Sequence, residues 1–228
     1  MTAQLKKPLR LALVGMSGAG KTYWTRNLAA CGYPTVSCDD LIETRLKGAL
    51  QREGFSGING MAAWMGWPDQ PTYAERESQY LSDETATLDG ILSEVEKDRE
   101  RELVLDTTGS VVYTGNHLLY RLRRLMTVVY LVASAEEQQL LVERYLSDPK
   151  PVLWRGAFHP RPGEKPKDTV ARCYPALLGA RQQSYQTLAH CSLGVAALRE
   201  LAKTAELQKR NPGELFLEQI REQLTRTM

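Results

Sequence analysis

Cysteine is sparse, with 4 in 228 residues. Cys31, Cys38, Cys173 and Cys191 are scattered, form no C-x-x-C pair and have no histidine at ligand spacing, so neither a zinc site nor a disulfide framework is expected. Long hydrophobic runs are missing as well. No segment approaches the roughly 20 apolar residues of a membrane span, and the first residues carry Lys6 and Lys7 without a signal-like apolar stretch. A soluble, cytoplasmic chain that meets no membrane is the expectation. Charge of one sign is not in excess either: 29 basic residues face 27 acidic ones, for a net +2. With no basic stripe interleaved with aromatics, a nucleic-acid partner is not expected. Internal repeats and low-complexity tracts are absent, which argues against solenoids and disordered tails.

What remains is an ordinary globular composition, 43% apolar and 25% charged, suited to one α/β domain spanning residues 1–228. Apolar strand-like runs at 9–14, 35–37, 102–105, 127–132 and, more weakly, 191–195 alternate with helical patterns. That alternation predicts a mostly parallel five-stranded sheet with helices on both faces. Leu81, Leu88, Ile91, Leu92 and Val95 recur at helical spacing over 73–96, and Ser134 with Glu137 makes a capping box for a helix running toward Arg144. Asn211-Pro212-Gly213-Glu214 opens a last helix. Residues 147–168 break the pattern with five prolines and five basic residues. On composition this is either an exposed excursion or a lid-like insertion that closes over a bound phosphate.

Gly15-Met16-Ser17-Gly18-Ala19-Gly20-Lys21-Thr22 matches G-x-x-x-x-G-K-[ST] at every fixed position. It lies between an apolar strand and a helix-like run, the context that the motif requires. The glycines let backbone N–H groups converge on phosphate oxygens, and the helix start adds the positive end of its dipole. Lys21 then neutralises the β- and γ-phosphates, and the Thr22 hydroxyl serves Mg²⁺. The chain is expected to bind a nucleoside triphosphate, ATP, with Mg²⁺; sequence leaves ATP and GTP undistinguished. Asp106 ends an apolar run as a Walker B acid does, and is the second candidate metal residue. Its local alternative is a turn cap. Asp39 and Asp40 follow the second strand, at the sheet edge where ligands bind. Asp39 is assigned to the acceptor hydroxyl and Asp40 to a helix cap.

The segments beyond the P-loop resemble shikimate kinase, a small-molecule kinase related to the nucleoside monophosphate kinases. The likeness runs through Thr25-Arg26-Asn27-Leu28-Ala29, Asp39-Asp40-Leu41-Ile42-Glu43 and the loop Asp106-Thr107-Thr108-Gly109-Ser110. It continues through 144–153, ending Lys150-Pro151-Val152-Leu153, and Arg181-Gln182-Gln183-Ser184-Tyr185. The resemblance implies a three-layer P-loop fold with a lid and phosphoryl transfer to a hydroxyl of a small molecule. It also implies roles: Lys150 as the lid's phosphate-contacting cation, Arg144 as the base packed on adenine, and Gly109 and Arg181 as acceptor-facing. Lys21, Asp39 and Lys150 are thus the catalytic candidates.

Departures from the family pattern fall on the acceptor side. Ser37 stands where the family has an acid, and Ala74, beside Tyr73, stands where it has a carboxylate-clamping Arg. Thr107 and Thr108 replace glycines, and their side chains are expected to intrude on the acceptor; Arg76 is a substitute clamp from the next turn. Trp64, Met65 and Trp67 wall either an acceptor pocket or the core. Two other function classes stay open: a nucleotide kinase, for which 46–80 offers only Arg52 and Arg76, and a non-catalytic nucleotide-binding regulatory module. Oligomeric state is not legible.

Overall fold

Five short strands form one all-parallel sheet in the computed structural model, which describes residues 8–227. They are β1 (Arg10–Val14), β2 (Thr35–Ser37), β3 (Leu103–Asp106), β4 (Thr127–Val132) and β5 (Cys191–Gly194), in the spatial order β2-β3-β1-β4-β5. Connecting them are α1 (Lys21–Ala30), α2 (Cys38–Arg52), α3 (Gly57–Met65), α4 (Tyr73–Lys97), α5 (Asn116–Leu125), α6 (Ala135–Ser147) and α7 (Pro166–Leu188). After β5 come α8 (Val195–Leu207) and α9 (Pro212–Thr227). β2 and β4 have the expected bounds. β3 sits one residue later than expected, so Asp106 closes the strand instead of following it. β5 is one residue shorter because Val195 already belongs to α8.

Alternation along the strands divides the core in two, as expected of a sheet covered on both faces. Leu11, Leu13, Val104, Val129 and Leu131 face one side, where α1, α8 and α9 supply Trp24, Leu28, Leu198, Phe216 and Ile220. Trp24 stacks on Phe216 with ring centroids 4.6 Å apart. Ala12, Val14, Leu105, Val128 and Tyr130 face the other side, under the helices α2 to α7. Trp64 and Met65 are fully buried in this second core and Trp67 packs against it beside Tyr145, so this cluster is core.

Residues 148–165 carry no helix or strand, yet the middle of the segment is interior. Val152, Leu153 and Trp154 are buried, Trp154 to 1% exposure. The Tyr73 hydroxyl lies 2.8 Å from the Val152 carbonyl and accepts from the Trp154 N–H at 3.0 Å. Tyr145, Tyr174 and Phe158 surround the Trp154 ring. The flanking prolines and basic residues stay near the surface while three apolar residues anchor the segment.

Candidate functional site

β1 ends at Val14 and the chain turns through 15–20 into α1. Gly15 has φ 146°, and a Cβ there would meet the Leu131 carbonyl of β4 at 2.9 Å, so the turn needs glycine. The loop wraps back on itself, with the Ala19 N–H donating to the Met16 carbonyl at 3.1 Å. Lys21 is 7% exposed, and its ammonium donates to the carbonyls of Gly15 at 2.9 Å and Met16 at 3.2 Å. Burial pushes its pKa down, against the opposing pull of Asp106 and Asp39. These contacts aim a cation at the concavity formed by the loop and the first turn of α1, whose leading N–H groups have no intrahelical partner.

Strand register assembles the acids around that cation. Leu13 pairs with Asp106, and Asp106 pairs with Ser37, so the carboxyl ends of β1, β3 and β2 lie side by side. The Thr22 hydroxyl donates to Asp106 Oδ2 at 2.6 Å. Burial raises the Asp106 pKa, while Lys21 and the Thr22 hydrogen bond pull it down. One hydroxyl and one carboxylate beside a phosphate cradle fit Mg²⁺, which takes one or two protein oxygens and completes its octahedron with water and phosphate oxygens. Asp39, in the first turn of α2, is pushed up to about 6 by burial, with Lys21 opposing. The Tyr80 hydroxyl donates to its Oδ1 at 3.3 Å.

The acceptor side differs from expectation in several places. Ser37, not Asp40, is the N-cap of α2: its hydroxyl accepts from the Asp40 N–H at 3.2 Å and Asp40 is exposed. Thr107 and Thr108 do not intrude. Thr107 donates to the Leu13 carbonyl at 2.8 Å, Thr108 donates to Glu84, and both are essentially fully buried. Arg76 is not a substitute clamp, being bonded to the Trp64 carbonyl and, at 2.7 Å, to Glu53. Ala74 is exposed on the first turn of α4. Arg181 is 3% exposed, donates to the Leu153 carbonyl at 2.6 Å, and stacks over Tyr113 at 5.2 Å. Gly109 joins the two halves: a Cβ there would lie 3.3 Å from the Ser17 N–H nitrogen and 3.6 Å from the Arg181 guanidinium.

Lys150 is held elsewhere, donating to Asn59 on α3 at 2.5 Å and pairing with Asp148 at 2.8 Å. Arg144 reaches the P-loop, since a Cβ at Gly18 would come within 3.4 Å of its guanidinium. It borders a groove of about 440 Å³ between the loop and α8, walled by Gly18, Tyr23, Trp24, Val195, Leu198 and Ala202. A larger cavity, about 1030 Å³, opens at the other end of the sheet. Its Arg10 bonds the carbonyls of Asp98, Arg99 and Arg101 in the loop between α4 and β3, and its Arg123 bonds those of Leu188 and Ala189 at the end of α7, a structural duty.

Glu84 was not foreseen. It sits mid-helix in α4 at 2% exposure, and burial pushes it up to about 7. Thr108 and Ser110 donate to its two oxygens, the Ser110 bond at 2.8 Å. Its signal was position: Glu84 falls three residues after Leu81 and four before Leu88, on the apolar face of α4.

No protein-family model matches the chain, and no curated protein matches it in sequence. Solved structures do match. Shikimate kinase from Acinetobacter baumannii, in complex with shikimate, is 25% identical over 82% of this chain and 84% of that one, with a TM-score of 0.51. Shikimate kinase from Bacteroides thetaiotaomicron is 18% identical over 86% of this chain and 98% of that one, with a TM-score of 0.50. No helix among the described residues is long and apolar enough to cross a membrane. The five-stranded parallel sheet, the P-loop after its central strand and these two matches together identify the chain as a P-loop protein with a shikimate kinase-like fold.

Proposed function

We propose that the protein is an ATP- and Mg²⁺-dependent kinase that phosphorylates a hydroxyl of a small molecule. The observation that carries this reading is the convergence of Thr22, Asp106, Lys21 and Asp39 at the carboxyl ends of three adjacent strands. In the reaction the acceptor oxygen bonds to the γ-phosphorus, the bond from that phosphorus to the bridging oxygen breaks, and ADP leaves. Asp39, ionised, orients the acceptor hydroxyl and takes its proton. Lys21 exchanges the carbonyls of Gly15 and Met16 for phosphate oxygens, and the amides of 15–20, with Ser17, Gly18 and Ala19 at the turn, cradle them. Thr22 and Asp106 hold the metal, whose chemistry is neutralisation of phosphate charge. Arg144 packs on the base in the groove against α8. Gly109 and Arg181 face the acceptor, and the exposed parts of 147–168, on either side of the anchored Val152–Trp154, act as the lid, with Lys150 leaving Asp148 and Asn59 to meet phosphate. Such charge neutralisation is most of what phosphoryl transfer asks of a protein.

The acceptor is a polyol or nucleoside-like alcohol that depends little on a carboxylate, because Ala74 offers no donor and Arg76 is committed to Glu53. That same commitment of Arg76 weighs against a nucleotide acceptor, whose phosphate requires an arginine cluster. The test is ATP consumption by the purified protein with sugars, cyclitols, shikimate and nucleosides, with Lys21→Ala as control. Acceptor-stimulated ADP release that disappears in Lys21→Ala supports the reading. Mg·ATP binding without stimulation by any class would favour a nucleotide-binding regulatory module.

A further inference from the structure

A Cβ at Gly109 would lie 3.3 Å from the Ser17 nitrogen and 3.6 Å from the Arg181 guanidinium, so the loop that carries Gly109 lies between the P-loop and Arg181. The residues on either side of Gly109 bond to one carboxyl group. Thr108 Oγ1 donates to Glu84 Oε1 and Ser110 Oγ donates to Oε2 at 2.8 Å. The Ser110 N–H in turn donates to Thr108 Oγ1 at 3.2 Å, which closes the turn. Beneath the loop the Tyr185 hydroxyl donates to the Gly109 carbonyl. With both hydroxyls bonded to Glu84 of α4, the glycine is the residue of the loop placed next to Ser17 and Arg181.

We propose that Glu84 is a positioning residue that holds both flanks of Gly109, retracts the Thr108 and Ser110 side chains from the acceptor pocket, and so presents bare backbone to the acceptor. The assignment of Gly109 to an acceptor rests on the kinase reading above; the clamp itself does not. A hydrogen-bonding role, not a charge, is the substance of the claim. The charged and titratable groups around Glu84 are Asp39 and Cys38 from α2, Tyr80 from its own helix and Arg181 from α7. Only one of these is cationic, and the Glu84 carboxyl, pushed up to about 7 by burial, is partly protonated near neutrality; glutamine keeps its shape and one acceptor oxygen, with its amide NH₂ donating to the other hydroxyl.

The test is amide hydrogen exchange over 103–112 in the full chain, comparing wild type, Glu84→Gln and Glu84→Ala. Mg·ATP affinity is measured on the same samples. Glu84→Ala is expected to speed exchange at Thr108, Gly109 and Ser110 by about tenfold or more, the effect of losing the hydrogen bonds to one buried carboxyl. Glu84→Gln stays within about threefold of wild type, and Mg·ATP affinity changes less than about threefold in both. If Glu84→Ala does not fold, Ser110→Ala cuts one of the two bonds, and Thr108→Val cuts the other together with the acceptor of the Ser110 N–H, so both are read at the Gly109 amide, where exchange is expected to speed up. Unchanged exchange in the Glu84→Ala variant, or at Gly109 in both hydroxyl variants, overturns the proposal, as does a glutamine variant as loose as alanine. If wild type phosphorylates nothing, the kinase reading falls while the exchange result still decides the role of Glu84.

Discussion

Asp106 ends β3, Asp39 lies in the first turn of α2 just past the neighbouring β2, and both feel Lys21, yet their surroundings differ. Asp106 is bonded to Thr22, and Asp39 is bonded to Tyr80 at the first turn of α2. Their amide variants are therefore expected to fail differently. Asp106→Asn raises the Mg²⁺ concentration needed for half-maximal turnover by about tenfold or more, the scale of one charged contact. Asp39→Asn lowers turnover while leaving Mg·ATP affinity within about threefold of wild type. Identical metal titrations for wild type and Asp106→Asn would remove the metal role. The pH dependence follows from the buried carboxyls. Asp39 rises from 3.8 to about 6 and Glu84 from 4.5 to about 7. Between those values the folded protein holds protons that the unfolded chain has released, so the stability from these two groups is complete below about pH 4 and falls as pH rises toward 7. Melting temperatures across pH 4.5 to 8 are expected to fall less steeply in Glu84→Gln than in wild type; equal slopes would show that Glu84 does not titrate in this range. Turnover, by contrast, is expected to rise through about pH 6 as Asp39 ionises, and Asp39→Asn should lack that limb.

At the scale of elements, the anchoring of 148–165 gives the sharpest expectation. Tyr73 bonds the backbone at Val152 and Trp154, and Glu77 accepts from the Arg155 N–H at 2.9 Å. Tyr73→Phe leaves a buried carbonyl and a buried N–H without that partner, a cost of about 1–3 kcal/mol. Denaturant unfolding is expected to register it, with faster proteolysis within 148–165; unchanged stability and cleavage would mean that the apolar contacts of Trp154 hold the segment alone. Elements marked by strong local chemistry were legible in the sequence. The Ser134 capping box is formed with both of its bonds, and Pro212 opens α9. The strand 127–132 has the expected bounds because it is a buried apolar run, and 35–37 ends where Ser37 caps α2. The interior of 148–165 was not legible, since three apolar residues between prolines have no periodicity. Glu84 was hidden because its partners, Thr108 and Ser110, are 24 and 26 residues away. The intrusion expected of the two threonines failed for the same reason: their hydroxyls found partners across the fold.

In the whole molecule, the P-loop matches its motif closely, while the residues expected around an acceptor depart from the pattern that the sequence resembles at Ser37, Ala74, Thr107 and Thr108. Ala74 is exposed, and Arg76 pairs with Glu53. A site lacking one anion clamp discriminates by orders of magnitude against acceptors that need it. Shikimate is accordingly expected to be a poor substrate; steady-state kcat/KM within the ordinary range of about 10⁴–10⁸ M⁻¹s⁻¹ would refute that expectation. Arg181 would then be the sufficient carboxylate contact.

Phosphoryl transfer by this chain requires a Mg·triphosphate site at the P-loop. The direct measurement is a calorimetric titration of Mg·ATP into wild type and Lys21→Ala, with melting temperatures taken on the same samples. The account predicts saturable binding by wild type, with Kd in the range of about 1 μM to 1 mM that is ordinary for enzyme substrates. It also predicts affinity at least about tenfold weaker in Lys21→Ala, the worth of one charge-assisted contact, at an unchanged melting temperature. No saturable binding to wild type, or equal affinity in a folded Lys21→Ala protein, would contradict it.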